Sequence, residues 1–238
     1  IKWKEHLMNY PKISVIIPAY NEENAIDSVI RDIPKKMVDR IIVVDNGSED
    51  NTFSKAQNAG AYVVSEPRRG YGNACLKGLQ NLDPDTEIVV FLDGDYSDYP
   101  EDMEHLVRPI ISNKADITIG SRVAGKREEG ALLLRACIGN RLATFLILIF
   151  WGFRFTDLGP FRAIRYKSLM QMDMKDKDFG WTVEMQIKAI MNKFRIIEVP
   201  VRYRKRIGQS KITGTIKGSV KAGIKIIYTI LKYRCRFL

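Results

Sequence analysis

Three nearly unbroken apolar runs mark the first hundred residues: Ile13-Ser14-Val15-Ile16-Ile17-Pro18, Ile41-Ile42-Val43-Val44-Asp45 and Glu87-Ile88-Val89-Val90-Phe91-Leu92-Asp93. Such runs read as strands of a parallel sheet, buried on both faces. Helix-like stretches separate them, Glu22 to Ile33, Asn51 to Asn58 and Asn73 to Leu82, the first two opened by polar capping residues. Strands alternating with helices predict βαβ units and an α/β fold around a mostly parallel, Rossmann-like sheet.

A fourth strand, Asp116 to Gly120, ends in Ser121-Arg122, after which the pattern changes. A basic loop with Lys126 and Arg127 precedes a long apolar helix from about Ala131 to Phe153. A short strand near Phe161 to Arg165, a helix from Trp181 to Met191, a strand from Arg195 to Tyr203 and an amphipathic helix from about Gly214 complete the chain.

In a parallel sheet the ligand crevice opens beyond the carboxyl ends of the strands. Here those ends carry Ala19-Tyr20-Asn21-Glu22, Asp45-Asn46-Gly47-Ser48 and Asp93-Gly94-Asp95, so three strands aim polar groups at one rim. Asp93 and Asp95 bring two hard oxygen donors to one point, which suits Mg²⁺ or Mn²⁺ bridging a diphosphate. An isolated D-x-D is usually an ordinary acidic turn; the buried strand before this one and the neighbouring polar strand ends favour the metal. Asp45 can accept hydrogen bonds from a nucleobase N–H or a ribose hydroxyl, while Asn46, Ser48 and Asp50 are at hand to cap the next helix. Arg68-Arg69-Gly70-Tyr71-Gly72-Asn73 is a basic, glycine-rich loop opening a helix, where phosphate oxygens can meet backbone N–H groups and guanidinium forks. A surface loop with solvated arginines would show the same pattern.

The 238 residues, 45% hydrophobic and 28% charged, fit a folded globular protein and exclude collagen, a disulfide scaffold and wholesale disorder. A net charge of +10 calls for an anionic partner: a nucleotide, a phospholipid surface or a nucleic acid. Nucleic acid is not expected, because no binding motif is present and the aromatic residues are not interleaved with the basic ones. Cys75, Cys137 and Cys235 are odd in number and lack metal-ligand spacing, which predicts a reducing, cytosolic compartment. Residues 1 to 12 hold no long apolar core, so no signal peptide is expected. The longest uncharged run lies between Arg141 and Arg154, short of the ~20 residues a bilayer requires, which predicts no transmembrane helix.

Taken together these segments resemble the inverting family-two glycosyltransferases of the GT-A fold, over nearly the whole chain. The resemblance rests on Val15-Ile16-Ile17-Pro18-Ala19-Tyr20-Asn21-Glu22-Glu23, Val43-Val44-Asp45-Asn46-Gly47-Ser48, Asp93-Gly94-Asp95 and Gly120-Ser121-Arg122. The later half is most similar to the dolichyl-phosphate mannose and glucose synthase branch, through Asp157-Leu158-Gly159-Pro160-Phe161-Arg162, Gly180-Trp181-Thr182-Val183-Glu184-Met185, Glu198-Val199-Pro200-Val201 and Gly208-Gln209-Ser210-Lys211. Two departures stand beside it. Ser97 occupies the place of a metal-binding Gln, and the spacing is one residue shorter both before Phe161-Arg162 and between Arg206 and Gly208.

The resemblance implies a sugar-nucleotide donor, a divalent metal at Asp93 and Asp95, and base or ribose contacts from Pro18, Tyr20, Glu22 and Asp45. It also implies that Arg122, Arg162, Arg206 and Lys211 surround the donor and acceptor phosphates, with Arg69, Gly72, Arg202 and Ser210 beside them. The expected organisation is a glycosyltransferase domain over 1–213, with a nucleotide half at about 12–123 and an acceptor half at about 124–213, then a helix over 214–238. The reaction expected is transfer of a hexose from a nucleotide diphosphate sugar, a UDP-sugar before a GDP-sugar, to a polyprenyl phosphate. An anionic acceptor phosphate needs positioning more than it needs a base, and Arg202, Arg204, Lys205, Arg206 and Lys211 fit that need. A hydroxyl acceptor would instead need a carboxylate base, for which Glu184 and Asp157 are the candidates. A non-catalytic nucleotide-sugar-binding module is the remaining alternative. The sequence leaves the hexose and the oligomeric state open.

The last helix bears on location. Lys217, Lys221, Lys225, Lys232, Arg234 and Arg236 accompany Ile216, Val220, Ile224, Ile227, Tyr228 and Leu231 at helical spacing. That is a basic amphipathic helix suited to an anionic bilayer, which predicts a peripheral protein on the cytoplasmic face of a membrane. The competing expectation packs this helix on the domain and leaves its lysines merely solvated.

Overall fold

The computed structural model describes residues 10–208 and 216–235. Seven strands form one sheet: β1 (Ile13–Ala19), β2 (Arg40–Asp45), β3 (Tyr62–Ser65), β4 (Ile88–Phe91), β5 (Ile117–Ser121), β6 (Arg162–Arg165) and β7 (Ile196–Pro200). Their order across the sheet is β3-β2-β1-β4-β6-β5-β7. All neighbours are parallel except β6, which runs antiparallel between β4 and β5, Phe91 and Ile119 both lying opposite Arg162. The helices are α1 (Ile26–Asp32), α2 (Thr52–Asn58), α3 (Tyr71–Leu79), α4 (Met103–Ile111), α5 (Leu134–Trp151), α6 (Tyr166–Met172), α7 (Trp181–Met191) and α8 (Ile216–Cys235).

Because successive strand residues point to opposite faces, the apolar runs divide into two cores. Ile16, Ile42, Val44, Val89, Phe91, Ile117 and Ile164 face Ala74, Ile147, Trp181, Ile187 and Ile230 of α3, α5, α7 and α8. Phe91 meets Trp181 edge to face, ring centres 5.9 Å apart. Ile13, Val15, Ile17, Val43, Val90 and Ala163 face Ile26, Val29, Ala56, Leu106 and Ile110 of α1, α2 and α4. Both faces are therefore covered, and the carboxyl ends of β1, β2, β4 and β5 remain open along one rim.

Helices α5 and α8 pack against each other at that rim. α5 is apolar on every face beyond Arg141, and Leu134, Ile138, Leu142, Phe145 and Ile149 form an exposed stripe along it. By length and composition α5 is long and apolar enough to cross a membrane, with a mean hydropathy of 1.4 and 17% of it buried. α8 turns Ala222, Thr229, Ile230 and Tyr233 inward and exposes Val220, Ile224, Tyr228 and Leu231. It is thus packed on the body of the protein and still presents an outward apolar stripe.

Candidate active site

Two cavities meet at the rim. One, of about 510 Å³, lies over the ends of β1 and β2 and is lined by Pro18, Tyr20, Glu22, Asn46, Arg69 and Asp178 among others. The other, of about 650 Å³, runs between α5 and α8 and is lined by Leu133, Gly139, Ala222, Gly223, Arg122 and Lys205 among others. Tyr71, Asp93, Asp95, Phe179 and Arg206 line both. Both volumes are in the range of small-ligand sites.

The shared carboxylates sit in the turn after β4. The Tyr71 hydroxyl donates to Asp93 Oδ1 at 3.1 Å. Asp95 Oδ1 accepts from the Ser97 amide at 2.9 Å and the Ser97 hydroxyl at 2.6 Å, so Ser97 orients Asp95. Arg206 Nη2 lies 2.8 Å from Asp95 Oδ2 and 3.1 Å from Glu22 Oε1, while its Nε is buried with no partner. Enclosure and then the charge of Asp95 push the Asp93 carboxyl up to about 6. Beneath them Asp98 is buried with neither oxygen hydrogen-bonded, and burial, then Asp93 and Asp95, push it well above the usual carboxylate range.

This concentration of negative charge fits a divalent cation, and Arg206 already provides a positive charge in its place. Among the described residues no group of three or more potential ligands surrounds one point. Two carboxylates completed by diphosphate oxygens are the pattern in which Mg²⁺-type ions bind with a nucleotide substrate.

The loop 66–70 that walls the first cavity is held from inside. Asn46 Nδ2 donates to the carbonyls of Glu66 and Arg68, both at 2.8 Å, and the Gly70 amide donates to Asn46 Oδ1 at 2.9 Å. Arg69 stacks over the Tyr20 ring at 3.6 Å. Asn46 lines the cavity and Asp45 does not; Asp45 Oδ1 accepts from the Ser48 amide at 3.3 Å. Gly72 serves the backbone of another segment: a Cβ there would meet the Asp176 carbonyl at 2.1 Å.

Several expected site residues are engaged elsewhere. Arg162 is fully buried, its guanidinium donating to the carbonyls of Leu158, Gly159 and Thr182, and burial lowers it to about 10. It ties the turn before β6 to α7 and reaches neither cavity. Glu184 is fully buried too, accepting from the amides of Lys175 and Asp176, from the Tyr233 hydroxyl and from Lys188 Nζ at 2.8 Å. Asp157, also fully buried, grips Arg122. Neither of these carboxylates is placed to take a proton from a ligand in the cavities. Arg202 pairs with Asp102 at 2.7 Å, and Arg204 lies 3.3 Å over the Tyr96 ring, so from that basic segment Lys205 and Arg206 line the second cavity. Ser210 and Lys211 lie outside the described residues.

Sequence reasoning passed over Tyr71, Asp178, Phe179, Tyr203 and Lys221, all of which line the cavities. Tyr71 stood within a loop already singled out for its charge. Asp178, Phe179 and Tyr203 lie in connecting segments with no local pattern, and Lys221 read as one of the lysines of an amphipathic helix; tertiary packing brings all four to the rim.

The model of glycosyl transferase family 2 matches residues 14–172, from β1 through α6. The chain belongs to glycosyl transferase family 2. A Haloferax volcanii protein named dolichyl-phosphate hexose transferase is 33% identical over 235 residues, 95% of this chain and 97% of that one. A Methanococcus voltae UDP-N-acetylglucosamine–dolichyl-phosphate N-acetylglucosaminyltransferase is 30% identical over 92% of this chain and 94% of its own length. Among solved structures, glucosyl-3-phosphoglycerate synthase from Mycobacterium tuberculosis, in complex with Mn²⁺, UDP and glucosyl-3-phosphoglycerate, superposes with a TM-score of 0.75. It is 25% identical, covering 94% of this chain and 80% of that one. The fold is accordingly GT-A, and the chain is a glycosyltransferase.

Proposed function

We propose that this glycosyltransferase moves a hexose from a UDP-sugar to a polyprenyl phosphate at the cytoplasmic face of a membrane, with inversion at the anomeric carbon. The observation that carries this reading is the pair of cavities sharing Asp93, Asp95 and Arg206. The cavity at the strand ends suits a nucleotide, and the other runs between two helices that both expose apolar stripes. A reacting carbon at the junction would have the nucleotide diphosphate on one side and the acceptor oxygen on the other, the in-line arrangement that inverts configuration.

A divalent cation held by Asp93 and Asp95 would neutralise the charge growing on the departing diphosphate. Tyr71 and Ser97 orient those two carboxylates. Arg122, Lys205 and Arg206 supply positive charge where an acceptor phosphate would sit. A phosphate oxygen is already a nucleophile at neutral pH, so no base is needed, and neither Glu184 nor Asp157 is placed to be one. The names of the Haloferax and Methanococcus relatives support a lipid-linked phosphate acceptor, and the Mycobacterium structure supports UDP and Mn²⁺.

The stripes on α5 and α8 would rest in the lipid, with the exposed Arg135, Arg141 and Arg154 beside them facing anionic headgroups. The polyprenyl chain would then lie in the groove between the helices without leaving the apolar layer.

The test is transfer of radiolabelled sugar from a panel of UDP- and GDP-sugars into organic-extractable product, with Mg²⁺ or Mn²⁺, with and without polyprenyl phosphate. Label entering the organic phase from a UDP-sugar only when polyprenyl phosphate is added is the expected result. Metal-dependent donor binding with no such transfer would overturn the acceptor, and transfer from GDP-sugars alone would overturn the donor.

A further inference from the structure

We infer that α8 completes the donor site, supplying Lys221 as a ligand for the diphosphate of the sugar nucleotide. The inference rests on reading the cavity at the strand ends as the donor cleft. Lys221 lines that cleft together with Asp178, Phe179 and Arg206.

Lys221 and Lys225 stand four residues apart and share one face of α8. Lys225 Nζ lies 2.8 Å from Asp176 Oδ2, on a side chain 8% exposed, so its charge is neutralised within the fold. Lys221, one turn nearer the rim, has no ion-pair partner among the described residues. Its Nζ lies 5.9 Å from the centre of the Phe179 ring, at the cleft wall.

The other cations of the cleft are already engaged. Arg206 bridges Glu22 and Asp95. Arg69 lies flat on Tyr20, with Glu49 3.5 Å away. One divalent ion balances the two charges of the donor's diphosphate, but the cleft's own Glu22, Asp93, Asp95 and Asp178 leave it short of positive charge. A lysine on a flexible four-carbon stem can swing from the wall onto a phosphate oxygen. The helix whose outer stripe faces away from the protein therefore also carries a donor ligand on its inner edge. Read as a sequence, α8 assigns Lys221 to a lipid surface along with its other lysines; packing on the rim separates it from them.

The experiment measures binding of UDP and of uridine to the full chain by calorimetry with Mn²⁺ present, for the natural protein and for Lys221→Ala, Lys221→Arg and Lys167→Ala. Lys167 is an exposed lysine on α6 that lines neither cavity. Loss of a charge-assisted phosphate contact predicts UDP affinity roughly tenfold weaker in Lys221→Ala, with uridine unchanged. Lys221→Arg should recover most of the loss, and Lys167→Ala should match the natural protein. Equal UDP affinity in Lys221→Ala and the natural protein overturns the inference and leaves the cleft assignment standing. Equal weakening for UDP and uridine also overturns it, because the lysine would then be supporting the fold rather than the phosphates. A natural protein that binds no nucleoside diphosphate overturns the cleft assignment and the inference together.

Discussion

Arg122 and Asp157 form a forked ion pair beneath the second cavity, Nε to Oδ2 and Nη2 to Oδ1 both at 2.8 Å, with the Arg122 amide donating to Oδ2 at 2.9 Å. Asp157 is fully buried and commits its carboxylate to holding one guanidinium at the cavity edge. Asp157→Ala should destabilise the protein by about 3–5 kcal/mol, because it leaves a buried guanidinium uncompensated. Arg122→Lys should also be less stable than the natural protein, since an ammonium cannot reproduce the fork. Denaturant unfolding of both variants checks this. Natural stability in Asp157→Ala would contradict the pairing.

Arg206 places a positive charge 2.8 Å from Asp95 Oδ2, beside the position proposed for a divalent cation. Arg206→Ala should therefore bind Mn²⁺ several-fold more tightly than the natural protein when no nucleotide is present, because a neighbouring positive charge is gone. Sugar transfer by the same variant should fall. Mn²⁺ paramagnetic resonance in nucleotide-free solution measures the first effect independently of turnover.

Glu184 holds Tyr233 of α8, Lys188 and the 175–176 backbone around one carboxylate. Glu184→Gln should cost about 1–3 kcal/mol of stability through the buried donors it leaves poorly matched. Turnover per folded molecule, measured at a temperature where the variant is native, should be retained. A stable variant without turnover would return Glu184 to the chemistry.

The fold and the paired carboxylates at the rim were legible in the sequence for one reason: buried parallel strands and their polar ends leave a pattern that tertiary context does not erase. The strands β1, β2 and β4, and Asp93 and Asp95 beyond the last of them, follow from it. β3 was missed because Tyr62-Val63-Val64-Ser65 is short, at the sheet edge and mostly exposed. α4 was missed with Pro109 inside it, and α6 because seven residues give less than two turns of periodicity. The antiparallel direction of β6 is a matter of topology, which Arg162-Ala163-Ile164-Arg165 does not encode locally. Arg162 was expected at the phosphates from the family resemblance, through the Asp157-Leu158-Gly159-Pro160-Phe161-Arg162 segment. The carbonyls that bury it come from α7 and the turn itself, and no local pattern announces them.

Glu66 offers a pH test of the loop that carries Arg69. Hydrogen bonding from Arg68 holds its carboxyl down to about 2, from an ordinary 4.5. A depressed carboxyl contributes stability above its ordinary value and loses that contribution as pH falls toward the native one. Glu66→Gln should therefore be less stable than the natural protein by about 1 kcal/mol at pH 7. The difference in melting temperature should shrink below pH 4.5 and close near pH 2. A gap that persists unchanged to pH 2 would contradict the pairing.

The groove between α5 and α8 as the seat of the lipid acceptor can be tested by filling it. Gly139 on α5 and Gly223 on α8 both line the groove, and a Cβ at either would have nothing within 4 Å. The double variant Gly139→Leu, Gly223→Leu should thus fold normally, with side chains standing where the polyprenyl chain would run. The decisive measurement is its rate of sugar transfer to polyprenyl phosphate beside its affinity for UDP with Mn²⁺. Transfer should fall by a factor of about ten or more through steric exclusion, with UDP affinity unchanged. Undiminished transfer would show that the acceptor lies elsewhere.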